Sequence, residues 1–231
     1  MKIEKLEPSK HKQGRWLVWL EDASIVRISE GDVVSLGLYA GKELSDSEAD
    51  ALTAAESRSK LMERAVGLLS LRPMSRRELL DKLCAPPRQK KEKYPYEKLD
   101  DAPDPEALQS QREALREQAE AVADRLTELG LLNDGEYARA VVRHYAGKGY
   151  GPRKIRDELY RRGVPREFWE DAMAEREPDD SQIDKLARQK LRGAEPTRED
   201  LKKVSDYLAR RGYGWEEISA ALDRLREEEW E

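Results

Sequence analysis

The stretches AGKGYGPRKIRDEL (146–159) and ARRGYGWEEISAAL (209–222) share a frame. Each reads small residue, two positions, Gly-Tyr-Gly, three positions, Ile, three positions, Leu, with Tyr150 and Tyr213 lying 63 residues apart. A third window, LSLRPMSRRELLDKL (69–83), fits the same frame, and aligned as 69–83, 145–159 and 208–222 the windows start 76 and then 63 residues apart. All three open on an apolar residue. A basic residue follows at the fourth position, a bulky one at the sixth and Ser or Gly at the seventh. Apolar residues then recur four and eight positions on.

The physics of such a window is local. A helix stops at a residue able to turn left-handed, Gly149 or Gly212. Tyr150, Tyr213 and Met74 plug the angle between two helices. The next residue starts the new helix: Ser75 as a capping box with Glu78, Gly151 before Pro152, and Gly214 before Trp215 and Glu216. The unit is helix, tight corner, helix, and linking helices bring it to about three per repeat. Units of this kind stack neighbour on neighbour, so we expect a mainly α fold: an elongated, curved array of tandem three-helix repeats. The first corner has Arg72-Pro73-Met74 in place of basic-Gly-Tyr, so its angle is expected to differ.

Working outward, the first 40 residues have another character. RWLVWLE (15–21) and SIVRIS (24–29) are β-prone around a turn at 21–23, and KIEKLE (2–7) suits a third strand. This predicts a small antiparallel sheet. A short helix over about 32–38 follows, with Ser29 as its N-cap. Ser45 with Glu48 is a capping box, and from there on the chain reads as helical. Asn133 with Glu136 and Thr197 with Asp200 mark two further starts, and Pro165 suits the first turn of another. Residues 86–105 hold five prolines and read as a flexible insertion. Leu115, Ala119, Val122, Leu126 and Leu129 form a stripe that suits ordinary helix packing or a short coiled coil. The expected organisation is a β-rich extension (1–45), the start of a first repeat (46–85), the insertion (86–105), a linking helix (106–132), a central repeat (133–178) and a C-terminal repeat (179–231).

Composition narrows the function. Of 231 residues, 39% are charged and 38% hydrophobic, a balance that suits a body with much surface for its volume. No apolar run is long enough to span a membrane, and the N-terminal MKIEKLEPSKHK lacks the apolar core of a signal peptide. Cys84 is the single cysteine, so no internal disulfide is possible, and a cytoplasmic location is expected. A Walker-type phosphate loop needs a preceding strand and a Gly-Lys-Ser/Thr ending, and the Gly-Tyr-Gly corners have neither. With His11 and His144 the only histidines, no catalytic set or metal site can be assembled, and no cofactor is expected. His144 reads as a half-buried packing residue and Cys84 as core.

The net charge of −5 conceals a strong asymmetry. Residues 137–166 carry nine Lys/Arg against two acids, a local +7, and residues 216–231 carry two against seven, a local −5. Arg139, Arg143, Lys148, Arg153, Lys154, Arg156, Arg161 and Arg162 crowd the second corner with few acidic neighbours in sequence. Arg72, Arg76 and Arg77 repeat the theme in the first unit, and Arg210 and Arg211 in the last. Solubilising charge explains any one of them. As a cluster they point to a partner: nucleic acid, a protein filament, or a filament with nucleic acid inside.

The string LTELGLLNDGEYARAVVRHYAGKGYGPRKIRDELYRRGVP resembles the central repeat of the bacterial regulatory RecX family. SRRELLDKL resembles that family's first-repeat helix, and YLARRGYGWEEISAAL the end of its last repeat. The likeness spans roughly 57–225, and the β-rich start resembles the extension of longer members. The resemblance implies a non-enzymatic, monomeric regulator. It would bind the RecA recombinase filament and, usually by inhibition, limit filament growth, ATP turnover and strand exchange, with at most weak direct contact to DNA. The insertion at 86–105 and the acidic end REEEWE depart from the family pattern. A helical-repeat protein that binds DNA without RecA is the alternative, as is a scaffold for another protein.

Overall fold

The computed structural model describes residues 1–86, 105–176, 180–191 and 197–227. Most of the Pro-rich stretch, from 87 to 104, and residues 228–231 of the acidic end lie outside these. The chain divides into two compact units, Met1–Arg72 with Leu79–Leu131, and Pro73–Glu78 with Leu132–Glu231.

The first unit opens with β1 (Ile3–Pro8), β2 (Arg15–Leu20) and β3 (Ile25–Ser29), an antiparallel sheet in that order. Leu6 faces Val18, and Val18 in turn faces Val26. Strand periodicity sends Val18 and Leu20 to one face, where they join Ile3, Ile28, Leu38, Leu44, Leu52 and Ala55 in a closed core. On the opposite face Lys5 lies over the Trp19 ring at 5.9 Å. Helix α1 occupies Glu30–Ser35 rather than 32–38, because Ser29 caps it reciprocally with Asp32 and so sets its start. Ser45 and Glu48 cap α2 (Asp46–Leu71) in the same way. Glu48 carries a hydrogen bond from Lys42 as well as those of the box, which pulls its carboxyl down to about 2.

Helix α3 covers Arg76–Cys84 and α4 covers Pro105–Glu128. Helix α4 packs on α2 through Ala119, Val122, Ala123 and Leu126. The stripe is therefore ordinary helix packing, and it stops short of Leu129, which is exposed. Arg64 of α2 donates to the carbonyls of Lys82 and Leu83, closing the end of α3. Cys84 ends α3 half-buried, outside the core.

The second unit contains α5 (Asp134–Gly147), α6 (Pro152–Arg161), a single 3-10 turn (Arg166–Phe168), α7 (Trp169–Ala174), α8 (Asp180–Leu191), α9 (Arg198–Arg210) and α10 (Trp215–Glu227). Asn133 and Thr197 cap α5 and α9 through the amides of Glu136 and Asp200. Pro165 departs from expectation. Its ψ of 142° places it before the helix, and the 3-10 turn intervenes before α7. Two cores result. One joins Tyr137, Val141, Val142, Ile155, Leu159, Val164 and Ala172 across α5, α6 and α7. The other joins Ile183, Ala187, Val204, Leu208, Tyr213, Ile218 and Leu222 across α8, α9 and α10.

The three aligned windows share their helix boundaries. The leading helices end at Leu71, Gly147 and Arg210, the third position of each window, and the following helices begin at Arg76, Pro152 and Trp215, the eighth. Leu79, Ile155 and Ile218 are all buried, as are Leu83, Leu159 and Leu222. Among the described residues, three helices separate the first corner from the second and four separate the second from the third.

Candidate partner-binding surface

The second corner is built by backbone chemistry. Gly149 takes φ +75°, its amide donates to the Ala146 carbonyl, and the Tyr150 amide reaches back to Tyr145. Gly212 at φ +91° repeats the pattern, with Tyr213 reaching back to Leu208. The first corner lacks a left-handed residue, and Arg72 is extended there at φ −165°.

The corners do not stand apart. The Gly151 amide donates to the Arg211 carbonyl at 2.8 Å and the Arg153 amide to the Gly212 carbonyl at 3.0 Å. Arg211 sends its guanidinium to the carbonyls of Lys148 and Gly149, at 2.8 and 3.1 Å, and lies over the rings of Tyr150 and Tyr207. The Tyr213 hydroxyl also donates to the Gly149 carbonyl. This clasp joins the second and third corners main chain to main chain.

The first corner meets the other end of α6. Ser75 accepts from the Glu78 amide and donates through its hydroxyl to the Arg162 carbonyl. Asp134 accepts from the Arg76 amide at 2.8 Å, and burial raises its carboxyl above the ordinary value against that bond. The stem of Arg77 crosses Gly163 so closely that a Cβ there would lie 2.7 Å from the Arg77 Cδ. Helix α6 thus carries one corner at each end. Met74 and Tyr213 are buried plugs, and Tyr150 is half-buried against Tyr145.

The basic residues fall into groups that the sequence does not distinguish. Arg162 donates to the hydroxyls of Tyr137 and Tyr145. Burial opposes its charge, but these bonds outweigh burial and raise its pKa above the ordinary value. Arg139 pairs with Glu136 and Glu175, Arg143 with Glu175, and Arg156 loosely with Glu170 at 3.8 Å. Arg161 and Lys154 approach Glu158, which is only 3% exposed and also accepts from the Tyr145 hydroxyl. The few acidic neighbours expected from sequence are corrected here, because Glu170 and Glu175 arrive from α7 and its end. Lys148 lies over the Tyr145 ring at 6.0 Å. Among the described residues, no carboxylate lies within ion-pair distance of Arg77, Lys148, Arg153 or Arg210. His144 is exposed rather than half-buried.

Two aromatics join this surface unannounced. Tyr160 is 65% exposed on α6, and Trp215 is 70% exposed at the start of α10. A helical wheel anchored on Ile155 and Leu159 already turns Tyr160 outward, beside Arg153. Trp215 carries no comparable signal, because a first-turn position does not fix the face. Among the described residues, no group of three or more His, Cys, Asp or Glu is placed to hold a metal ion, and no helix is long and apolar enough to cross a membrane.

Two family models match the chain, described as the second three-helix domain of RecX over 133–173 and the third over 178–222. The regulatory protein RecX of Xanthomonas axonopodis pv. citri is 37% identical over 164 residues, covering 69% of this chain and 84% of that protein. That of Cronobacter sakazakii is 31% identical over 173 residues, covering 74% and 95%. Among solved structures, a crystal structure of regulatory protein RecX superposes with a TM-score of 0.71 at 23% identity, over 96% of this chain and 98% of the other. RecX from Lactobacillus salivarius gives 0.56 at 20%, over 74% and 98%. These two likenesses speak for the fold. The matched ranges also locate the corners: the second lies between the first and second helices of its domain, and the third between the second and third helices of its own.

Proposed function

The chain belongs to the RecX family of regulatory proteins, and on that premise we propose that it binds the RecA recombinase filament on DNA and restrains it. The restraint falls on ATP turnover, filament extension and strand exchange in recombination and repair. The protein acts by binding, without catalysis or cofactor, as a cytoplasmic monomer. The observation that carries this reading is the outward face of α6, where Arg153, Arg156 and Arg161 stand over a helix tied at both ends to neighbouring corners. A rigid, cation-bearing ridge suits a filament groove that exposes both protein carboxylates and phosphate. Lys154, Arg139, Arg143 and Lys148 add to the same field. Arg76, Arg77, Arg210 and Arg211 extend it at the flanking corners.

The test is RecA ATP hydrolysis on single-stranded DNA with substoichiometric protein. Turnover and mean filament length are expected to fall together, and unchanged turnover at equimolar protein would sink the reading. A second reading, direct DNA binding through helix–corner–helix units, is favoured by the guanidinium groups of Arg153 and Arg210, which have no carboxylate partner among the described residues. It predicts tight binding to DNA without RecA that falls steeply with salt.

A further inference from the structure

The outward face of α6 is not uniformly basic. At 100° per residue, Arg153, Asp157 and Tyr160 lie within about 60° of arc, with Arg156 on one side and Arg161 on the other. Ile155, Glu158 and Leu159 occupy the opposite side and are buried. Arg153 and Tyr160 are seven residues apart, two turns or about 10.5 Å along the axis. Because all five residues share one helix, their spacing does not depend on any other element.

Three properties set this ridge apart. Tyr160 is 65% exposed, although the other tyrosines of the repeat, Tyr137, Tyr145 and Tyr150, are buried or half-buried. Arg153 has no carboxylate partner among the described residues. Asp157 stands between them, exposed, four residues from Arg153 and three from Tyr160. Tyr and Arg are the side chains that concentrate binding energy in protein–protein contacts, since each offers a large rigid surface with a polar end. A phosphate backbone laid along the ridge would meet the Asp157 carboxylate at its centre, which disfavours a polyanion. A protein surface can answer each sign in turn.

We propose that the Arg153–Asp157–Tyr160 ridge is a protein-docking epitope, in which Tyr160 enters an apolar recess of the partner bordered by carboxylates for Arg153 and a cation or amide donor for Asp157. This rests on the filament-binding reading above and names the chemistry of its contact. Trp215, on the far side of the clasp, is not required by it.

The experiment measures binding of the full-length protein to RecA filaments on single-stranded DNA, and to the same DNA without RecA. Tyr160→Ala is expected to weaken filament binding at least about tenfold, and Tyr160→Phe to keep most of it. Asp157→Lys is expected to weaken filament binding as well. Tyr160 lies outside the core, so melting temperatures should match the parent and confirm that each variant is folded. If the parent binds filaments and Tyr160→Ala binds equally well, the epitope is wrong and the filament reading stands. If Tyr160→Ala loses naked DNA in equal measure and Asp157→Lys tightens both, the ridge is a nucleic-acid platform and the proposal is overturned. A parent that does not bind filaments at all overturns the reading and the epitope with it.

Discussion

Gly151 has no room for a methyl group, and neither does Gly212. A Cβ on Gly151 would lie 2.4 Å from the Gly212 carbonyl carbon and the Tyr213 amide nitrogen. One on Gly212 would lie 2.4 Å from the Lys154 amide nitrogen. Each obstacle is main chain, so no rotamer change relieves it. Gly212 also holds φ +91°, which an alanine adopts only under strain. Gly151→Ala and Gly212→Ala are therefore expected to destabilise the protein by more than about 2 kcal/mol in urea unfolding. Gly67→Ala is the control: the residue lies inside α2 with open space around its Cβ position, and the change should stabilise by about 0.5–1 kcal/mol. The two Gly-Tyr-Gly motifs read as separate corners in the sequence. Their second requirement, bare backbone where two corners touch, appears only when they are placed together.

Helix starts are the most local elements and the most legible. Ser29, Ser45, Asn133 and Thr197 were all readable as N-caps, because a capping bond spans three residues and needs nothing from elsewhere. Glu48 shows the consequence for pH. Its folded value of about 2 lies below the ordinary 4.5, so the stabilisation of the start of α2 is present above about pH 4.5 and lost as pH falls toward 2. Carboxyl NMR titration of Glu48, with hydrogen exchange of its amide, is expected to show both changes across that window. A titration midpoint at 4.5 would refute the link. Joining one helix to another is a different matter. Asp184 of α8 is nearly buried and accepts a two-point bond from Arg224 of α10, at 2.9 and 2.8 Å. Asp184→Asn removes the carboxylate of this two-point bond, leaving Arg224 the more distant Asp180 at 3.8 Å, and should lower stability by about 2 kcal/mol, measured by chemical unfolding. The pair spans 40 residues, so no local pattern announces it.

For the molecule as a whole, charge is the property that tertiary structure rewrote most. The +7 segment at 137–166 does not present nine free cations. Glu175 neutralises Arg139 and Arg143, Glu170 lies beside Arg156, Glu158 lies beside Lys154 and Arg161, and Arg162 is engaged by tyrosine hydroxyls. Glu175→Gln should therefore release Arg143, leave Arg139 with Glu136 alone, and strengthen the local positive field. On the proposed function, this variant binds filaments more tightly at low salt, with a steeper loss of affinity as salt rises. An unchanged salt slope would show that these arginines lie outside the contact. The sequence by itself determined the helix–corner–helix unit, the N-terminal sheet, the caps and the buried stripes, because each arises from bonds or periodicity within a few residues. Only the tertiary structure decided which arginines remain available and that two corners clasp through their backbones. Those outcomes depend on groups up to 87 residues apart, such as Ser75 and Arg162, and proximity across such a distance is created by packing, not by pattern.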